Sequence, residues 1–209
     1  MNRYRTVFGA AEAEQVIERS RFIARVMPAE TREEAESFIA ETRLMNRDAT
    51  HNVPAMVLGE GFQVQWASDD GEPQGTAGAP IVQMLVKEGI TNIAVVVTRH
   101  FGGVKLGTGG LVRAYTGCVK KAVSAAVVCR VKELSVLTFK AGYSSLDRIQ
   151  NAARGGSFLV RGVEYAESVT IVAATEPENL RLLKATLDDI TAGDWEAVSE
   201  TGDLVKIPE

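Results

Sequence analysis

Glycine is concentrated in one part of this chain, and that concentration limits the structures the chain can form. Of the 19 glycines, twelve lie between Gly59 and Gly117. They form two turn-rich segments, residues 71–78 and 102–110, on either side of the apolar run Ile93–Val97. Glycine weakens regular elements and is used where backbone turns sharply or approaches another group closely. The pattern predicts two loops beside a central strand, which together form one surface made largely of backbone.

Hydrophobic periodicity predicts a mixture of helices and strands up to about residue 131. Thr31–Leu44 is predicted as a helix that begins with a capping box of Thr31 and Glu34. The segment Ala10–Arg19 is ambiguous, because its composition favours a helix and its position suits the first arm of a hairpin. The remaining predicted elements are strands at 53–58, 62–67 and 93–97 and helices at 76–87 and 110–128.

After residue 132 the predicted elements follow the order β-α-β-β-α-β, which is the order of a ferredoxin-like sandwich. The strands are predicted at 134–139, 158–164, 169–174 and 195–207, and the helices at 144–153 and 175–190. We therefore expect an α+β protein with two domains, residues 1–131 and residues 132–209.

Composition argues against several classes of protein. A net charge of −4 and a pI near 5.4 argue against binding nucleic acid through bulk charge. The apolar stretch 122–129 is too short to span a bilayer, and the N-terminus lacks the apolar region of a signal peptide. Cys118 and Cys129 are predicted on one helix about 16 Å apart, which is too far for a disulfide. We expect a cytoplasmic protein with free thiols and no membrane partner.

Charge is unevenly distributed in the glycine-rich half. Residues 89–132 contain no Asp or Glu but carry seven lysines and arginines, at positions 99, 105, 113, 120, 121, 130 and 132. Arg113, Gly117, Lys120 and Ser124 share one face of the predicted helix. A basic stripe beside a glycine loop and a helix N-terminus is typical of a surface that binds phosphate or an RNA backbone. A solvated helix face with ordinary lysines is the alternative.

The glycine loop 102–110 resembles nucleotide-binding loops without matching either standard pattern. Gly102 and Gly107 have P-loop spacing, but Thr108 stands where that motif has lysine. The dinucleotide pattern needs glycine where Val112 stands. We therefore predict no nucleotide cofactor. Two interpretations remain, anion capture by backbone N–H groups at the helix start and a tight crossover turn.

An acidic loop and two histidines are the other candidates for chemistry. Asp69, Asp70 and Glu72 offer ligands for a hard cation or groups for acid–base catalysis. Their commoner use in such turn-rich sequence is an Asx-turn and negative charge near a following helix. The acidic loop lacks the spacing of an EF-hand. The two histidines, His51 and His100, have no zinc-site spacing, and the chain contains no nucleophile elbow. The sequence therefore predicts no metal site, and each histidine is interpreted as making structural hydrogen bonds.

Four segments of the N-terminal half resemble the YigZ/IMPACT family: SRFIA at 20–24, ATHN at 49–52, DDGEPQGTAG at 69–78 and RHFGGVKLGTGGLVRAY at 99–115. The resemblance runs in order through residues ~1–130, and the remainder is similar to the small C-terminal domain of bacterial members. It implies an S5-domain-2-like α/β sandwich, named after the ribosomal protein, followed by a ferredoxin-like domain. That second domain would be similar to the last domain of elongation factor G.

The resemblance also carries functional expectations. Eukaryotic relatives are linked to translational control under amino-acid starvation, and nucleic-acid or ribosome binding is the usual proposal for bacterial members. This chain departs from the family at His100, where tyrosine is usual, and at Val53 and Pro54, where a cysteine and an aromatic residue are usual. The missing cysteine argues against a cysteine-based enzyme.

The favoured hypothesis is a non-enzymatic, translation-associated regulator that binds RNA or the ribosome and needs no cofactor. Its predicted phosphate-contacting residues are Arg99, His100, Gly102, Gly103, Lys105, Gly107, Gly109, Gly110, Arg113 and Lys120. The alternative is a hydrolase or transferase acting on a phosphorylated or peptide substrate through His51, Asp69, Asp70, Glu72 and Arg99. A third interpretation is a protein-interaction module that uses the exposed sheet of the C-terminal domain.

Overall fold

A computed structural model describes residues 2–209 and shows an α+β fold, as predicted. The strands are β1 (Asn2–Val7), β2 (Ala11–Ile17), β3 (Ser20–Pro28), β4 (His51–Leu58), β5 (Val64–Ala67), β6 (Ile93–His100), β7 (Val128–Ala141), β8 (Leu159–Tyr165), β9 (Val169–Thr175) and β10 (Trp195–Pro208). The helices are α1 (Arg32–Met45), α2 (Gly78–Lys87), α3 (Gly107–Ala125), α4 (Tyr143–Arg154) and α5 (Leu180–Thr191), with a short 3₁₀ turn at Pro177–Asn179.

The chain divides into two compact units. One holds Tyr4–Val131 together with the C-terminal Lys206–Glu209, and the other holds Lys132–Val205 together with Asn2 and Arg3. In the part of the chain that the structure describes, no helix is long and apolar enough to cross a membrane.

The first unit is built on a five-stranded antiparallel sheet with the order β2-β3-β6-β4-β5. The apolar run that predicted a central strand is β6, the middle of this sheet. Successive side chains of a strand point to opposite faces. Ile93, Val95 and Val97 therefore pack against α2 and α3, while Ala94 and Val96 pack under α1. Helices cover both faces, and the site described below lies on the α3 side.

The ambiguous segment Ala10–Arg19 forms the first arm of a hairpin, β2, which pairs with β3 from Ala11↔Val26 to Ile17↔Ser20. Two residues with positive φ, Glu18 and Arg19, make the turn. The predicted capping box of α1 is confirmed, because the Thr31 hydroxyl accepts from the Glu34 N–H at 3.2 Å and the Glu34 carboxylate accepts from the Thr31 N–H.

The second unit has the predicted β-α-β-β-α-β order. β7 lies between β9 and β10, and β8 pairs with β9. The order of these four strands across the sheet is therefore β10-β7-β9-β8. β1 also pairs with β7. Leu137, Phe139, Ile149, Ile171 and Leu183 form the centre of the core between sheet and helices. This is a ferredoxin-like arrangement.

The interpretation of the two cysteines was wrong in one respect. The predicted helix 110–128 ends early, because α3 stops at Ala125 and Val127 adopts a left-handed φ of 60°. Cys129 therefore lies on β7 and shares no helix with Cys118. Both thiols are free and buried, and burial raises the pKa of Cys118 to about 11.

Candidate functional site

Arg99 and Glu72 form a buried ion pair at the centre of the candidate site. Arg99 follows Ile93, Val95 and Val97 on the face of β6 that points to α2 and α3, and this residue is only 4 % exposed. Its Nη1 donates to Glu72 Oε1 at 2.6 Å. The guanidinium also lies 5.2 Å from the ring centre of Phe22 and 5.3 Å from that of Phe101. Arg99 is thus held in place and neutralised by Glu72, so it is not an exposed cation for phosphate.

Two further side chains complete this cluster. The Tyr115 hydroxyl donates to the same Glu72 Oε1 at 2.6 Å. Burial and this hydrogen bond raise the pKa of Tyr115 far above its ordinary value, so the phenol remains a donor at neutral pH. The Ser20 hydroxyl accepts from Arg99 Nη2 at 3.3 Å and from the Gly102 N–H at 3.1 Å. The cluster therefore ties the β2–β3 hairpin, the acidic loop, β6 and α3 to one another.

A cavity of about 440 Å³ opens beside this ion pair. Its walls come from the start of β4, the acidic loop, the end of β6 and the start of α3. The lining residues are Thr50, His51, Gly71, Glu72, Pro73, Arg99, Phe101, Lys105, Leu106, Gly107, Thr108 and Leu111. Both glycine-rich segments contribute, as expected from their position on either side of β6.

His51 lies in the wall with a defined orientation. Its Nδ1 is 2.8 Å from the carbonyl oxygen of Asp70. A carbonyl oxygen only accepts hydrogen bonds, so Nδ1 carries a hydrogen. Nε2 lies 3.8 Å from Glu72 Oε2. In the neutral imidazole, this second nitrogen therefore presents a lone pair beside the carboxylate.

Asp69 and Asp70 stabilise the loop and are absent from the cavity wall. Asp69 accepts three backbone N–H groups at the start of α2, from Gly75 at 2.7 Å, Ala77 at 3.2 Å and Gly78 at 2.8 Å. Asp70 Oδ2 accepts the Asn52 N–H at 2.6 Å, and its other oxygen pairs with Arg43 of α1. Of the acidic loop, only Glu72 presents a carboxylate to the cavity.

We expect Asp69→Ala to lower the free energy of unfolding by about 1 to 2 kcal/mol at neutral pH, the range for losing a helix-capping side chain. Burial alone would raise the pKa of Asp69, but the three N–H donors more than offset it, and the pKa lies below its ordinary value. A carboxyl with a lowered folded-state pKa stabilises the fold above its unfolded pKa, and this contribution is lost as pH falls through the folded one. Urea unfolding across acid pH should therefore show the difference between wild type and variant shrinking below about pH 4.

Asp69→Asn is the matched control, because it keeps one acceptor oxygen and cannot ionise. It should retain part of the stability at neutral pH without this acid dependence. A difference for Asp69→Ala that is constant with pH would contradict the capping role.

The N-terminus of α3 differs from that of α2. The helix begins at Gly107 rather than the predicted Gly110, because the glycines of the predicted loop form its first turn. That turn has no side-chain cap and no acidic residue, and Gly109 and Gly110 bring no side chain to shield its backbone. The first N–H groups of a helix lack partners within it and carry partial positive charge. They border the cavity at Gly107 and Thr108.

The seven cations of residues 89–132 separate into two groups. Four form ion pairs: Arg99 with Glu72, Lys120 with Glu88 at 2.8 Å, Arg130 with Glu209 at 2.5 Å and Lys132 with Glu176 at 2.9 Å. The other three, Lys105, Arg113 and Lys121, are exposed, and no described residue forms an ion pair with them. The free positive charge of this segment therefore lies before α3 at Lys105 and along α3 at Arg113 and Lys121, and the predicted Lys120 is neutralised by Glu88.

Seven of the ten predicted phosphate-contacting residues are not part of the cavity wall: His100, Gly102, Gly103, Gly109, Gly110, Arg113 and Lys120. His100 follows Arg99 on β6, so its side chain points to the opposite face of the sheet. Gly102 lies against the hairpin turn, where an added Cβ would be 2.1 Å from the carbonyl carbon of Arg19. Gly102 therefore serves close backbone packing, while Gly103, with a φ of 85° and an open environment, makes the turn.

Sequence reasoning missed Ser20 and Tyr115 as members of this site. The Tyr115 ring packs in the apolar core beside α3, and its hydroxyl extends to the ion pair. Both residues belong to the segments that carry the family resemblance, so that resemblance was the signal that pointed to them.

The remaining predictions concern metals and a protein partner. Among the residues described, no group of three or more His, Cys, Asp or Glu side chains is arranged to hold a metal ion. On the C-terminal sheet, Val198 and Leu204 of β10 are exposed, whereas Val136 and Ala174 are buried in a small apolar cluster. This surface stays the predicted location for a protein partner.

Comparison with known proteins gives a consistent result. The model of the Impact N-terminal domain matches residues 18–123, and a domain of unknown function, DUF1949, matches residues 139–194. IMPACT family member YvyE of Bacillus subtilis (strain 168) is 38% identical over 193 residues, 92% of this chain and 89% of the relative. IMPACT family member YigZ of Escherichia coli (strain K12) is 34% identical over 179 residues, 85% and 88% of the two chains. A crystal structure of a hypothetical protein is similar at a TM-score of 0.59 and 30% identity, over 100% of this chain and 99% of the other.

Proposed function

This chain belongs to the IMPACT family, and from that premise we propose that it is a cytoplasmic, non-enzymatic, translation-associated protein that binds RNA or the ribosome. One observation carries the proposal. Lys105, Arg113 and Lys121, the cations of residues 89–132 that have no carboxylate partner among the described residues, lie just before and along α3, whose N-terminus is uncapped. Phosphate groups bind readily to lysine, arginine and helix N-termini.

The carboxylates of the site support this proposal over the hydrolase or transferase. Asp69 accepts the N–H groups before α2, and Asp70 holds Asn52 and Arg43. The alternative mechanism would need these acids free to exchange protons with a substrate. Their engagement leaves His51 and Glu72 at the cavity, and Glu72 is already bound by Arg99 and Tyr115.

We expect the triple variant Lys105→Gln/Arg113→Gln/Lys121→Gln to bind single-stranded RNA more weakly and with less salt dependence. Each phosphate contact on a single strand contributes about 0.7 to the slope of log K against log salt, so three contacts predict a loss of up to about 2. The measurement is fluorescence anisotropy of a labelled oligouridine across a salt series. Lys121 replaces the predicted Lys120 in this variant, because Lys120 is paired with Glu88.

A second triple variant controls for the loss of charge itself. Arg148→Gln/Arg154→Gln/Arg181→Gln removes three exposed arginines from α4 and α5 and should keep the wild-type slope. An equal loss in both variants would show that net charge alone drives binding, and an unchanged slope in the first would remove this face from the interaction.

A further inference from the structure

The cavity holds two hydrogen-bond acceptors that the protein itself leaves unused. Glu72 Oε1 accepts both Arg99 and Tyr115, whereas Oε2 accepts no hydrogen bond from another residue among residues 2–209. His51 Nε2 lies 3.8 Å from Oε2. The Glu72 side chain is 3 % exposed, and it is part of the cavity wall. Oε2 is therefore an acceptor on the cavity wall, and a ligand that brings N–H groups can donate to it.

The two acceptors favour a particular donor pattern. In the neutral form of His51, Nδ1 donates to the Asp70 carbonyl and Nε2 accepts. Nε2 and Glu72 Oε2 therefore form an acceptor pair at the base of the cavity. Such a pair matches a group that presents two neighbouring N–H donors.

The walls of the cavity suit a flat, largely apolar body. Pro73, Phe101, Leu106 and Leu111 line it. Phe101 is 47 % exposed although its ring also contacts the Arg99 guanidinium, so ring surface remains for another planar group. Aromatic side chains of this kind stack on unstacked bases. The volume of about 440 Å³ is in the range of small-ligand sites.

The edge of the cavity is suited to an anion. Lys105 and the uncapped first turn of α3 border the same space as Phe101 and Glu72. A phosphate placed there would receive backbone N–H donors and a lysine charge. One cavity can therefore accommodate a ligand that has a donor edge, a planar body and an anionic group.

We propose that this cavity binds one unstacked guanine nucleotide of an RNA strand, an inference that rests on the proposed RNA-binding function. Guanine presents its N1–H and N2 amino group side by side, which fits the acceptor pair of Glu72 and His51. Adenine presents a single amino donor beside an acceptor nitrogen on that edge, and uracil presents one N–H between two carbonyls. The base lies against Phe101, and its phosphate lies at Lys105 and the start of α3.

The test compares four short oligouridines that differ only in the central nucleotide: uridine, guanosine, inosine or adenosine. Affinities are measured by fluorescence anisotropy near pH 8, where ordinary imidazoles are neutral. We expect the guanosine oligomer to bind about tenfold more tightly than the uridine oligomer, the discrimination usual for a well-placed base contact. Inosine lacks the N2 amino group and should lose most of that gain, and adenosine should bind like uridine.

Two variants locate the effect. Phe101→Leu removes an exposed ring without opening the core and should weaken the binding of all four oligomers, because stacking does not select a base. Glu72→Gln replaces the Oε2 acceptor with an amide and should abolish the guanosine preference, with circular dichroism as the check on folding. Guanosine preference that persists in Glu72→Gln, or unchanged affinity for the guanosine oligomer in Phe101→Leu, would overturn the proposal, because the base would then be recognised elsewhere.

The outcomes separate the two proposals. If all four oligomers fail to bind at low salt, the RNA-binding function fails, and this inference fails with it. If the four bind equally well and with the expected salt dependence, RNA binding stands and the guanine pocket alone is wrong.

Discussion

Glu72→Ala should lower the free energy of unfolding of the N-terminal unit by about 3 to 5 kcal/mol, the cost of removing one partner from a buried ion pair. Arg99 is 4 % exposed, so without Glu72 its charge would remain in an apolar environment between Phe22 and Phe101. Tyr115 would also lose the acceptor of its buried hydroxyl.

Urea unfolding followed by tryptophan fluorescence measures this change. The chain has two tryptophans, and in a Trp195→Phe background Trp66 on β5 reports the N-terminal unit. Glu88→Ala is the matched control, because it breaks the exposed pair with Lys120 and should cost about 0 to 1 kcal/mol. A Glu72→Ala loss no larger than that of the control would mean that the Arg99 pair contributes little to the fold.

Gly102→Ala is expected to destabilise the same unit by more than about 3 kcal/mol, at or beyond the upper end of the cost of overpacking. The new Cβ would lie 2.1 Å from the carbonyl carbon of Arg19 and 2.5 Å from the Ser20 nitrogen. Both are backbone atoms of the hairpin turn, so no side-chain rotation relieves the clash. The hydrogen bond from the Gly102 N–H to Ser20 would be lost as the chain moves apart.

Gly103→Ala separates steric exclusion from backbone strain in this experiment. Gly103 has a φ of 85°, and nothing lies within 4 Å of its added Cβ. Only the left-handed backbone opposes alanine there, at a cost of about 1 to 2 kcal/mol. The same fluorescence measurement should rank Gly102→Ala well below Gly103→Ala in stability, and equal losses would show that the approach to Arg19 is easily relaxed.

Much of the fold could be predicted because its signals are local. The run Ile93–Val97 has no polar position, as a central strand requires, and Thr31 with Glu34 carries a capping box that depends on four residues. The predicted helix ends were less accurate. The glycines at 107–110 were predicted as part of a loop, whereas in the fold they form the first turn of α3. Glycine is compatible with both states, and tertiary contacts decide between them.

The candidate site was harder to predict because its charges are paired across the fold. Arg99 and Glu72 are 27 positions apart. Because they are distant in sequence, Arg99 was predicted as a surface cation and Glu72 as a residue of a turn-rich loop. Lys120 and Glu88 were separated in the same way. Charge patterns along a sequence show where cations occur, but only the fold shows which of them are already neutralised.

The alternation of side chains along β6 also gives neighbouring residues different tolerance to substitution. Arg99 shares its environment with Glu72 and Tyr115, so a substitution at any one of these three positions disturbs the other two. The His100 side chain is adjacent in sequence but points to the other face of the sheet. A substitution at His100 therefore leaves the contacts of Arg99 in place, and two consecutive positions of one strand differ in how much of the fold depends on them.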